Sequence, residues 1–191
     1  MNLKVTGGKY KGITISSVKD KRTRYTPAIV REALYDIISV ANKSVLELFG
    51  GSGIVSIEAL SREAKEATIV EIAKSSCWAI RKNLEKVHSK AIVMNVDFRI
   101  AMRRLEEKGK NFDIIFMDPP FGTGLTFEAF KSLDRHNALL KEDGIGIIES
   151  FEKEMPPSQG ENIFLEKRKR YGDVILSFYK RGVEVENKGD N

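Results

Sequence analysis

A chain of 191 residues with 41% apolar and 31% charged residues is long enough to bury a real core and reads as one soluble globular domain with a small appendage. It shows no apolar run near the ~20 residues that span a bilayer and no signal peptide, so membrane and secreted classes are excluded and a cytoplasmic location is expected. The single cysteine, Cys77, rules out an internal disulfide, and His88 and His136 lack ligand spacing, so no metal site is expected. The net charge of +5 is uneven: up to Arg31 stand Lys4, Lys9, Lys11, Lys19, Lys21, Arg22, Arg24 and Arg31 against one acid, Asp20. A polyanion such as nucleic acid fits that segment better than a merely solvated face.

In chain order, residues 3–18 alternate as two short strands punctuated by Gly7, Gly8 and Gly12, with Tyr10 near the tip. Residues 1–25 therefore read as a basic β-hairpin arm, which needs the main domain to be stable. Thr26 and Pro27 look like N-cap and first residue of a helix whose apolar face holds Ile29, Val30, Ala33, Leu34, Ile37 and Ile38. Ser44–Phe49 is a buried-strand pattern running into Gly50-Gly51-Ser52-Gly53, and a helical pattern follows at once. Strand, glycine turn and helix let backbone N–H groups approach a ligand at a helix N-terminus. A second strand ends in Glu71, 18 positions after Gly53, an offset that suits an acid holding two ribose hydroxyls. No lysine follows the glycines, and Glu47 and Glu71 would repel phosphate. They suit a cationic ligand such as a sulfonium.

Residues 73–88 form a helical pattern carrying Trp78, Ile80, Leu84 and Val87. A third strand leads to Asp97-Phe98, where Asp97 can accept from an adenine amine, cap the next helix, or do both. The Phe112–Met117 strand then runs into Asp118-Pro119-Pro120-Phe121. Two prolines end the ladder and stiffen the backbone at the strand end where ligands sit in α/β sheets. The carboxylate of Asp118 and the carbonyl of Pro119 can accept the two hydrogens of an exocyclic amine while Phe121 stacks on its ring. Alone, the same four residues are equally a strand-ending turn. Thr126 is placed to cap a helix through Phe127, Phe130 and Leu133. A fifth strand covers Gly144–Glu149, and two last strands, Ile163–Lys169 and Val174–Lys180, form an edge hairpin. The Lys167–Arg170 cluster reads as an aggregation guard in preference to an RNA contact. The tail from Gly182 is polar and expected to be disordered.

Gly7-Gly8-x-x-x-Gly12, Arg24-x-Thr26, Val30-Arg31-Glu32-x-Leu34, Glu47-Leu-Phe-Gly-Gly-Ser-Gly53, Asn83-Leu84 and Asp118-Pro-Pro-Phe121 together resemble the RsmD family to about Arg181. Tyr25, Ile29 and Asp36 depart from its pattern. The resemblance implies a Rossmann-like class I methyltransferase fold over residues 26–181, with a seven-stranded, mostly parallel sheet and an antiparallel C-terminal hairpin. It implies methyl transfer from S-adenosylmethionine to the N2 amine of a guanine in 16S ribosomal RNA, within the small subunit or its assembly intermediate, by a monomer. Glu47, Phe49, Gly51, Gly53, Glu71, Asp97, Phe98 and Asp118 would surround the cofactor. Asp118, Pro119, Pro120 and Phe121 would meet the guanine, and Lys9, Lys11, Arg22, Arg24 and Arg31 the RNA. An adenine-N6 methyltransferase acting on DNA, another guanine methyltransferase acting on another RNA, and a non-catalytic RNA-binding protein on the same fold are the alternatives.

Overall fold

The computed structural model describes residues 2–17 and 26–182. The expectations placed on Arg22, Arg24 and the tail beyond Gly182 lie outside the described residues. Two strands, β1 (Asn2–Lys4) and β2 (Thr14–Ser16), pair antiparallel with Leu3 opposite Ile15. Then come α1 (Ala28–Ile37), β3 (Ser44–Leu48), α2 (Ile54–Ser61), β4 (Glu66–Glu71) and α3 (Lys74–Lys86). The chain continues through β5 (Ile92–Asn95), α4 (Phe98–Glu107), β6 (Phe112–Met117), α5 (Leu125–Arg135), β7 (Leu140–Phe151), β8 (Ile163–Tyr171) and β9 (Val174–Arg181).

The main sheet has the order β5-β4-β3-β6-β7-β9-β8. Pairing is parallel from β5 to β7 and antiparallel for β7–β9 and β9–β8. Successive side chains point to opposite faces of a strand. On β6, Ile114 and Phe116 therefore join α1, α2 and α3 in one core, while Ile115 and Met117 join α4 and α5 in the other. Burial on both faces is why these strands read as unbroken apolar runs. Chain order reverses between β3 and β6, so the crevice at the carboxyl ends of those two strands is where an α/β sheet offers a ligand site.

The small hairpin is fused to the first core rather than hanging from it. Leu3, Val5 and Ile15 are buried there. Asn83 on α3 accepts from Ser16 N at 2.8 Å and donates Nδ2 to the Ser16 and Ser52 carbonyls at 2.8 and 3.0 Å. Ser61, at the end of α2, donates to the Gly7 carbonyl at 2.6 Å and accepts from Tyr10 N at 2.8 Å. Gly8 sits at φ +73°, and a Cβ there would lie 2.0 Å from the Ser61 carbonyl oxygen. Its glycine is a close-approach residue.

Several local expectations need correction. Thr26 does not cap α1: Pro27 takes that position with no side-chain cap, and the threonine hydroxyl is used elsewhere. Likewise α5 begins after Gly124 in the left-handed region, so Thr126 is buried inside the helix. Ile29, on the outer side of α1, and Trp78, 64% exposed on α3, are not core residues. The fifth strand is twice the expected length: Leu140 already pairs with Phe112 of β6 at its start, and the β9 ladder carries it on to Phe151 at its end.

Candidate active site

Strand ends and turns bring five carboxylates to one edge of the sheet: Glu47 on β3, Glu71 on β4, Asp97 after β5, Asp118 after β6 and Glu149 on β7. The glycine turn between β3 and α2 has Phe49 at φ +63°, Gly51 at +53° and Gly53 at +74°. Phe49 is a bulky residue in the left-handed region, a conformation worth about 1–3 kcal/mol of strain that concentrates at functional sites. Its ring meets Phe98 at the start of α4 with centroids 4.6 Å apart, so two residues from the turns after β3 and β5 pair as aromatic neighbours at the ligand edge. A Cβ on Gly50 would lie 2.4 Å from Ile69, which fixes glycine there by packing.

Glu71 accepts from Gly51 N at 2.8 Å and from Ala73 N at 2.7 Å, which ties the turn to the end of β4. Each carboxylate oxygen keeps a further lone pair for a hydroxyl. Ile72 beside it stands exposed, an apolar neighbour that sequence reasoning passed over. Asp97 caps α4, accepting from Arg99 N at 2.9 Å, and pairs with the Arg99 guanidinium at 3.0 and 2.9 Å. Those hydrogen bonds hold its carboxyl below the ordinary range. Glu47 is 3% exposed. Burial pushes it up to about 7, although Ser56 N donates to it at 2.9 Å and works the other way.

Asp118 is half-buried at the mouth of the crevice, Pro119 is buried, and Pro120 and Phe121 face outward. Phe121 is 48% exposed and rests on Phe151 with centroids 4.5 Å apart. Thr123 Oγ1 donates to the Pro120 carbonyl, and Gly122 N to Glu154 Oε2 at 3.1 Å, closing the turn beneath the exposed ring. Enclosure of its carboxyl pushes Asp118 up to about 7. Thr26 Oγ1 lies 2.9 Å from Glu149 Oε2 and 3.4 Å from Asp118 Oδ2. Glu149 stands beside Asp118 because Met117 and Ile148 are register partners.

Arg31 is the residue whose expected place is overturned. It is 1% exposed and lies in the core, not on the basic surface. It donates to Glu58 Oε1 at 2.7 Å, to the Lys4 carbonyl at 2.8 Å and to the Thr26 carbonyl. Glu58, fully buried, also takes the Thr6 N–H and hydroxyl. Lys9 and Lys11 are exposed on the hairpin. Sequence reasoning missed Thr26, Glu58, Phe151 and Glu149 as members of this region. The one signal was an acid closing an apolar strand, which is where Glu149 sits.

The sequence profile described as Conserved hypothetical protein 95 matches residues 3–180. The chain is 30% identical over 191 residues to Ribosomal RNA small subunit methyltransferase D of Escherichia coli strain K12, covering 98% of this chain and 94% of that one. To the protein of the same name from Buchnera aphidicola subsp. Baizongia pistaciae it is 32% identical over 186 residues, covering 93% and 91%. Among solved structures, one described as a putative methyltransferase yhhF from Escherichia coli superposes with a TM-score of 0.81 at 29% identity, over 96% of this chain and 100% of the other.

Proposed function

The chain belongs to the Conserved hypothetical protein 95 family, the RsmD family, and from that premise we propose that it transfers a methyl group from S-adenosylmethionine to the N2 amine of a guanine in small-subunit ribosomal RNA. The observation that carries the reading is the position of Asp118-Pro119-Pro120-Phe121 at the sheet's switch point, with an exposed phenyl ring beside a carboxylate. The donor set fits the cofactor: acids at Glu47 and Glu71 suit a cation and hydroxyls, and the Phe49–Phe98 pair suits a planar base. Gly51, Gly53, Asp97 and Asp118 complete that surround. When bound, S-adenosylmethionine supplies an electrophilic methyl group on a sulfonium sulfur.

The chain's own residues then orient and polarise. Asp118 and the Pro119 carbonyl accept the amine hydrogens, which aims the nitrogen lone pair and stabilises the positive charge that grows on it. Phe121 stacks on a base that is unpaired or flipped out. Lys9 and Lys11 meet the RNA backbone from the hairpin side, with Arg22 and Arg24 of the same basic segment. The protein acts as a monomer in the cytoplasm, on the small subunit or an assembly intermediate.

The test is transfer of labelled methyl to small subunits lacking the modification, with wild type beside Asp118→Ala. Labelled N2-methylguanosine from wild type alone is the expected result. Label in N6-methyladenine would keep the chemistry and overturn the substrate, and no label in any RNA would overturn the reading.

A further inference from the structure

A hydroxyl has one hydrogen to give, and Thr26 Oγ1 sits within reach of two carboxyl groups, Glu149 at 2.9 Å and Asp118 at 3.4 Å. If both acids were ionised, one contact would bring oxygen lone pairs together and two anions would share a water-poor corner. If one acid is protonated, both contacts become hydrogen bonds running in one direction. Two observations place the proton. Glu149 is only 4% exposed, whereas Asp118 opens toward the crevice. Among the described residues the buried cation beside the pair is Arg31, and it already donates to Glu58, to the Lys4 carbonyl and to the Thr26 carbonyl.

We propose that Thr26 and Glu149 are positioning residues for the methyl transfer: Glu149 stays protonated and donates to Thr26 Oγ1, whose own hydrogen goes to Asp118, leaving Asp118 ionised with Oδ1 turned to the amine. The assignment rests on the methyltransferase reading above for its catalytic meaning, and on geometry alone for the place of the proton. Among the described residues the charged neighbours are Arg31 from α1, which acts on Glu149, and Glu47 from β3, which interacts with Asp118; Glu58 from α2 is the ion-pair partner of Arg31. Because Arg31 is already paired with Glu58, it offsets a second anion poorly, which favours keeping a proton on the pair. Burial pushes both carboxyls up, and for Glu149 the charge of Asp118 adds to it. Arg31 also explains why Thr26 stays aimed: its guanidinium fixes the Thr26 backbone carbonyl.

Two measurements decide the matter. In the free protein, the side-chain carboxyl ¹³C signal of Glu149 should report the protonated form at pH 7.5. An ionised Glu149 there overturns the proposal whatever the substrate proves to be. In methyl transfer, Thr26→Val should lower kcat about 10- to 100-fold with cofactor affinity held, and Thr26→Ser should restore it to within about threefold. Glu149→Gln can donate its amide to Thr26 as the acid does, so it should lose about threefold at pH 7.5 and show no alkaline fall in rate. Glu149→Ala should lose about tenfold or more. Equal losses for Gln and Ala, or full activity in Thr26→Val, would overturn the proposal. An inactive wild type would instead overturn the functional reading, and the carboxyl signal would still decide where the proton sits.

Discussion

Glu47 and Asp118 are carboxyls kept where water would serve them better, and stability at a given pH should register it. A buried acid raised to about 7 adds stability below its unfolded pKa, near 4, and loses it as pH rises through 7. Glu47→Gln, whose amide oxygen still accepts from Ser56 N, should therefore stabilise the free protein at pH 8 by on the order of 3 kcal/mol and hardly at pH 4, read from denaturant midpoints. If the gain is the same at both pH values, the burial argument fails. In catalysis the raised Asp118 predicts an acid limb near pH 7 in kcat/KM, and Asp118→Asn should cut kcat about 100-fold by replacing an anionic acceptor with a neutral one. Arg31→Met would strand the fully buried Glu58, a loss of about 3–5 kcal/mol, while removing both charges together should be milder. At this scale the sequence was legible where members of the candidate site are neighbours along the chain, as Asp118 is with Phe121 and Glu47 with the glycines. It was not legible where a side chain finds its partner 92 or 123 positions away, as Thr26 does with Asp118 and Glu149. Arg31 was misplaced for the same reason, since charge counted along a chain cannot register a buried acid on another helix.

Strands were readable because a sheet covered on both faces imposes apolar runs, and glycine, proline or an acid punctuates them. Helix starts were less so. A threonine beside a proline signals an N-cap by propensity, but tertiary partners claimed the Thr26 hydroxyl, and a left-handed glycine replaced Thr126. Trp78 followed the helical period yet points outward, because α3 buries Cys77, Ala79, Ile80, Asn83 and Leu84 instead. The docked hairpin gives a prediction at the scale of an element. Gly8→Ala should push the hairpin off Ser61, lowering methyl transfer to the small subunit at least tenfold while cofactor affinity stays within about twofold. Parallel loss of cofactor binding would show that the two elements are not separable in this way.

Across the molecule, acids gather at the ligand edge while Lys9 and Lys11 stand exposed on the hairpin, so under the proposed function a cationic cofactor and a polyanionic substrate would be drawn to surfaces of opposite sign. The rate on small subunits should accordingly fall roughly tenfold or more between about 50 and about 200 mM salt, and Lys9→Glu with Lys11→Glu should flatten that dependence. A salt-independent rate would argue against backbone contacts from the hairpin. Between these surfaces lies α2, all eight of its residues buried. Its first turn continues the glycine bend and its last residue carries the hairpin. At 1.5 Å per residue it is a spacer about 12 Å long. One residue added to it would swing Ser61 by about 100° and leave the hairpin facing the wrong way, with no slack in the chain to correct it. Length variation in descendants of this sequence should therefore gather in outlying turns such as those at Gly109 and Gly172, where even an added Cβ would meet nothing, while α2 keeps its count as a gauge does.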